Sequence, residues 1–231
     1  MKKIGLVGGT GPESTLSYYK KLNEEIDRLT NEKNMPDVAI ESVNFRRAWE
    51  YVVNGDREAL TEYLAEKIRI LKAGGAEVIS LTAVTMHMVF EELEKRTGVT
   101  LVSIPRAVCE EIVKAGIKKV GLLGTMTTME QDYVKKDLIA AGVEVFVPDE
   151  QERALVAKRI YEELEKGIVK ESTLQEFQQL IGKMKAEDGI EGVILGCTEL
   201  PLLLNSGNCP VPCFDSVEIH VRKLEKLVLE D

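Results

Sequence analysis

Lys2-Lys3-Ile4-Gly5-Leu6-Val7-Gly8 returns, nearly residue for residue, as Lys118-Lys119-Val120-Gly121-Leu122-Leu123-Gly124. Each copy is a short apolar run that closes on glycine and meets a threonine, Thr10 in one and Thr125 in the other. A buried strand that ends in a tight turn before a helix reads this way. The likeness continues outward. The run ending at Leu81-Thr82-Ala83 has its counterpart at Leu195-Gly196-Cys197, and Val99–Pro105 corresponds to Val211–Ser216. An internal duplication accounts for these matches economically.

Between the strands the pattern changes to helical spacing. Expected strands are Ile4–Gly8, Val38–Val43, Val78–Leu81, Val99–Ser103, Val120–Gly124, Val143–Val147, Gly192–Gly196 and Val211–Phe214. Expected helices are Glu13–Leu29, one capped by Asp56 and stopped by Gly74-Gly75, Met86–Arg96, one opened by Pro105, Thr128–Ala141, Glu150–Lys166, Ser172–Glu187 and Ser216–Leu229. Strands alternating with helices mean α/β with parallel sheets. The expected architecture is two similar open halves, 1–103 and 104–213, related by a pseudo-twofold. Ligands in this class bind at the carboxyl ends of the strands, so a cleft between the halves is the expected site.

Composition narrows the function. The chain has 231 residues, 44% hydrophobic and 30% charged, enough to bury a core. Its net charge of −9 supplies no basic field for nucleic acid. No apolar run approaches the ~20 residues that span a bilayer, and no signal peptide is recognisable, so a cytoplasmic protein is expected. The four cysteines, 109, 197, 209 and 213, read as free thiols, and the Cys209-Pro210-Val211-Pro212-Cys213 pair reads as structural. His87 and His220 are too few for a classical zinc site, and no metal is expected.

Three turns carry chemistry. Gly8-Gly9-Thr10-Gly11-Pro12 and Gly124-Thr125-Met126-Thr127-Thr128 are strand-to-helix turns whose N–H groups favour an anion, while neither fits a dinucleotide or Walker motif. Gly196-Cys197-Thr198-Glu199 closes a strand and is expected to open a helix whose N–H groups lower the thiol pKa. Thr82-Ala83-Val84-Thr85-Met86-His87 is its counterpart and has no thiol. His87 reads more readily as a structural histidine than as an acid or base.

At these residues the chain resembles the aspartate/glutamate racemases, the cofactor-independent amino-acid racemases. The likeness runs through Gly8–Thr15, Thr85-Met86-His87, Gly124-Thr125 with Thr128–Gln131, Gly196–Glu199, and Phe214-Asp215-Ser216 with Ile219-His220. The resemblance implies two Rossmann-like halves, a homodimer, no pyridoxal phosphate or other cofactor, and return of 214–231 to the first half. It also implies a two-base exchange of the Cα proton, with one base from each half. Cys197 matches one base. The other falls on Ala83, and the Asn that follows it in the family falls on Val84. An alanine methyl cannot carry a proton.

Three explanations follow: service by Thr82, Thr85 or a held water; an active-site variant of a working racemase; or a branch that needs one thiol, as in decarboxylase relatives. Candidate substrate-binding residues are Thr10, Val84, Thr85, Thr125, Thr128 and Thr198, with Arg46 and Lys158 as cations for an acidic side chain. The expected activity is racemisation of aspartate or glutamate. The alternatives are a single-cysteine decarboxylase or isomerase of a small dicarboxylate, and a silent amino-acid-binding relative.

Overall fold

The computed structural model describes residues 1–230. They form two compact units, Met1–Ile104 with the segment from His220 onward, and Pro105–Ile219.

The first unit carries strands β1 (Ile4–Gly8), β2 (Val38–Ser42), β3 (Val78–Leu81) and β4 (Leu101–Val102) in the parallel order β2-β1-β3-β4. Helix α1 (Pro12–Leu29) starts with proline, whose missing N–H is not needed in a first turn. It buries Ser14, Tyr18, Leu22 and Ile26, four positions on one stripe. Helix α2 (Phe45–Val53) buries only Ala48, whereas α3 (Arg57–Ala73) buries Leu60, Leu64, Ile68 and Leu71. Asp56 caps α3 through Ala59 N–H, as its sequence position suggests.

The expected 86–96 helix divides. A 3-10 turn over Thr85–Val89 precedes α4 (Phe90–Thr97), which Gly98 ends in the left-handed conformation. Helix α2 was not expected. Its signal is the Asn44 cap, which accepts Arg47 N–H, followed by apolar residues at 45, 49 and 53 that remain exposed.

The second unit repeats the order. Strands β5 (Lys119–Leu123), β6 (Glu144–Phe146), β7 (Gly192–Leu195) and β8 (Cys213–Asp215) run parallel as β6-β5-β7-β8. The sheets thus share one topology, as the internal repeat predicts. Helix α5 is Ile104–Lys114. The expected helix at 128–141 is two helices, α6 (Met126–Glu130) and α7 (Lys135–Ala140), because Gln131 leaves α6 in an extended conformation. Helix α8 (Glu150–Glu162) opens with a reciprocal Asp149–Glu152 capping box. It packs with α9 (Glu171–Glu187) over a core of Leu123, Val156, Ile160, Phe177, Ile181 and Val193. Truncating buried Phe177 to alanine would cost about 3–5 kcal/mol.

Helix α10 (Ser216–Leu229) starts in the second unit and ends in the first. The chain changes unit between Ile219 and His220, later than the 213/214 boundary read from the sequence, because β8 pairs with β7 and keeps 213–215 in the second sheet. In the first unit, Lys2 N–H donates to Val228 O (3.1 Å). Buried His220 accepts from Tyr18 OH at Nδ1 (2.7 Å) and donates through Nε2 to Val102 O (3.2 Å). No described helix is long and apolar enough to cross a membrane.

Candidate active site

In the first unit, chemistry gathers at the carboxyl ends of β1 and β3. The chain leaves β1 through Gly9 at φ +82°, and a Cβ there would stand 2.5 Å from Ser42 Oγ and from Val43 O. Only glycine makes this turn without strain. The turn is laced to the end of β3: Gly9 N–H donates to Thr15 Oγ1 (2.9 Å), Ser14 Oγ donates to Thr82 O (2.6 Å), and the Thr15 and Thr82 hydroxyls lie 3.4 Å apart. Thr10 is buried, and its Oγ1 has no hydrogen-bond partner among the described residues. Leaving such a group unpaired costs about 1–3 kcal/mol, so a ligand that bonds to it recovers that cost.

Beyond β3 lie Ala83, Val84 and Thr85, all buried. Val84 holds the capping position of the Thr85–Val89 turn and has no side-chain acceptor to offer it. His87 is structural, as its sequence context suggests. Ile104 N–H donates to Nε2 (3.1 Å), so Nδ1 carries the proton and donates to Ala83 O (3.0 Å), and the ring stacks on Phe90. Arg46 is exposed in the first turn of α2, just beyond β2.

In the second unit, a Cβ on Gly124 would stand 2.8 Å from the Thr128 methyl, so glycine lets α6 close on β5. Thr125 caps α6 by accepting Thr128 N–H (3.3 Å). The hydroxyls of Thr125, Thr128 and Tyr133 then form a chain with steps of 3.0 and 2.9 Å. Tyr133 was not among the residues singled out from sequence. Lys158 is exposed on α8 with Glu162 4.0 Å away, an ordinary solvated pair.

Cys197 follows β7 and is 8% exposed. Its Sγ donates to Glu199 Oε2 at 2.8 Å. The expected lowering of this thiol pKa is overturned. Burial pushes the thiol well up, and the negative charge and hydrogen bond of Glu199 push it further, outweighing one Glu199 N–H that favours thiolate. The segment after Glu199 is a three-residue 3-10 turn, Leu200–Leu202, too short to supply the expected helix dipole. Cys197 therefore rests as a thiol, with a carboxylate in place to receive its proton. Glu199 stood in the quoted motif without a role; its spacing of two from Cys197 was the available signal. Partly buried Thr198 lies between them. No group of three or more His, Cys, Asp or Glu side chains among the described residues could hold a metal.

Two parallel sheets of one topology each carry a glycine turn and a hydroxyl cluster at their strand ends, and the second adds a buried thiol–carboxylate pair. The family model described as Asp/Glu/Hydantoin racemase matches residues 7–224, and the chain belongs to that family. Over the whole of both chains it is 45% identical to an aspartate racemase homologue of Pyrococcus horikoshii OT3, with a TM-score of 0.88. Again over the whole of both chains, it is 36% identical to a candidate Asp/Glu racemase of Yersinia pestis, with a TM-score of 0.94. A broad specificity amino-acid racemase of Bacillus subtilis, RacX, is 24% identical over 218 residues, 92% of each chain.

Proposed function

We propose that this protein racemises aspartate or glutamate by exchanging the Cα proton through Cys197. The observation that carries the reading is the 2.8 Å contact from Cys197 Sγ to Glu199 Oε2 in a buried position. As an acid, the thiol gives its proton to a Cα carbanion. As a base, it first passes its proton to Glu199, and the thiolate then takes the proton from Cα. Negative charge developing on the substrate carboxylate needs hydrogen-bond donors. Thr10 Oγ1, which has no partner among the described residues, and the Thr125–Thr128 hydroxyls fit that role, with Thr85 past the end of β3 and Thr198 next to Cys197 as further candidates. The acidic side chain calls for a cation. Arg46 is the stronger candidate, since Lys158 already has Glu162 nearby.

Ala83 stands where the family resemblance expects the second base, and its methyl cannot carry a proton, so exchange at Cys197 should outpace inversion. The same alanine favours a second reading, single-thiol decarboxylation or isomerisation of a small dicarboxylate. One incubation separates them. In deuterium oxide with L-aspartate or L-glutamate, proton NMR follows Cα–H loss, and chiral chromatography follows D-isomer. Deuterium entry that disappears in Cys197→Ser supports the proposal. Carbon dioxide release without deuterated amino acid would replace it with the second reading, and binding without exchange would leave an amino-acid-binding protein.

A further inference from the structure

Tyr133 takes no part in the chemistry proposed above, and the break between α6 and α7 is what brings it to the end of β5. In one continuous helix, residues 128 and 133 would point about 140° apart around the axis, on different faces. Gln131 instead leaves α6 in an extended conformation (φ −81°, ψ 165°). Lys135 Nζ takes up carbonyls released at the break, donating to Met129 O (3.2 Å) and Glu130 O (3.0 Å). Tyr133 is thereby set against Thr128, hydroxyl to hydroxyl at 2.9 Å, and both side chains are buried.

The geometry of the next step gives this contact a direction. Thr125 Oγ1 lies 3.0 Å from Thr128 Oγ1 and also accepts Thr128 N–H (3.3 Å). Three hydroxyls hold three protons, and the two links between them use two, so one proton is left at an end of the series. If Tyr133 is the first donor, Thr128 donates to Thr125. Both lone pairs of Thr125 Oγ1 are then filled, and its own O–H can only donate outward. In the opposite direction Thr125 would present a lone pair and repel an anion. A phenol is a stronger acid than an alkyl hydroxyl, so Tyr133 is the favoured first donor, and each donor polarises the next. Thr125 is the partly exposed member of the three, so the outward donor stands at the accessible end.

We propose that Tyr133 is a positioning residue: it fixes the direction of the Tyr133–Thr128–Thr125 hydroxyl series and so holds the Thr125 O–H as a donor to a carboxylate of the substrate. The inference rests on the reading of Thr125 as a carboxylate donor and adds the residue that makes it one. Tyr133 acts two hydroxyls away from the ligand, and no proton moves along the series. The same polarity turns an ammonium group away from Thr125, so the carboxylate end of an amino acid is the end this unit receives.

The test measures binding of L-aspartate, L-glutamate and succinate by calorimetry in the parent, Tyr133→Phe, Thr128→Val and the double variant, with Cα–deuterium exchange of the two amino acids followed alongside. Thermal melts check that each variant folds. Tyr133→Phe should weaken carboxylate binding about fivefold, the worth of one net hydrogen bond. Thr128→Val should weaken it at least as much, and adding Tyr133→Phe to it should change nothing further, because the series is already cut. A phenol that only packs would give losses that add. Thr128→Ser, which keeps the hydroxyl, should retain the parent affinity. Unchanged affinity in a folded Tyr133→Phe protein, or additive losses in the double variant, would overturn the proposal while exchange by the parent keeps the racemase reading. A parent that binds succinate but exchanges neither amino acid would overturn the racemase reading, and the succinate series then decides on Tyr133. A parent that binds none of the three would overturn both.

Discussion

Ala83 and Cys197 occupy the same position in the two sheets: each stands two residues past the end of the third strand of its unit, after Leu81 in β3 and after Leu195 in β7. One position carries a thiol and the other a methyl. Ala83→Cys should therefore raise racemisation by about 10²-fold, within the range that a positioned acid–base group supplies. Chiral chromatography of L-aspartate incubations reads the change. An unchanged rate in a folded Ala83→Cys variant would place the second proton source elsewhere.

Glu199 holds Cys197 in its protonated form through charge and a direct hydrogen bond. Glu199→Gln removes the charge, so the thiol should titrate at lower pH than in the parent. Ultraviolet thiolate absorbance, taken as the difference from Cys197→Ser in each background, reads this without any substrate. A midpoint that stays or rises would show that burial alone sets the thiol.

Acid should destabilise the first unit through His220. Burial, with a smaller electrostatic contribution from neighbouring His87, lowers its pKa to about 3 from an ordinary 6.5. Between those values the unfolded chain binds a proton that the folded chain refuses. Stability is thus complete above 6.5 and falls with decreasing pH by about 1.4 kcal/mol per unit. Below about 4.5 a second loss begins in the other unit. There Glu163, which accepts from Thr173, Lys170 and Arg159, is lowered to about 2, and its contribution fades as it protonates. Denaturant unfolding at stepped pH measures both, and His220→Gln should flatten the upper limb.

Gly9→Ala should cost on the order of 3 kcal/mol, because the new Cβ meets Val43 O at 2.5 Å in a left-handed conformation. Gly55→Ala is the control. It has φ +69° but open space around it, and should cost about 1 kcal/mol. Thermal melts of the pair separate the clash from the backbone preference.

The duplicated strands were legible because each is a short apolar run closed by glycine, a signal contained in a few adjacent residues. Helix α2 was not, because it buries little beyond Ala48 and so lacks the apolar stripe that marks α1 and α3. The break at Gln131 depends on one backbone torsion that no residue type announces. The positions of Ala83 and Cys197 could be read from strand endings. The protonation of Cys197 could not, since it depends on the Glu199 side chain folding back over the sulfur, a contact that spacing alone does not specify.

Because α10 crosses from one unit to the other, the first unit is assembled from both ends of the described chain. The acceptor for the Tyr18 hydroxyl and the carbonyl that receives Lys2 N–H are supplied by His220 and Val228. A ribosome adding roughly 5–20 residues per second makes the whole second unit before it makes those partners. The second unit can complete its sheet while translation continues, whereas the first must wait for the last helix. Synthesis order and folding order are therefore reversed: the half made first is the half finished last.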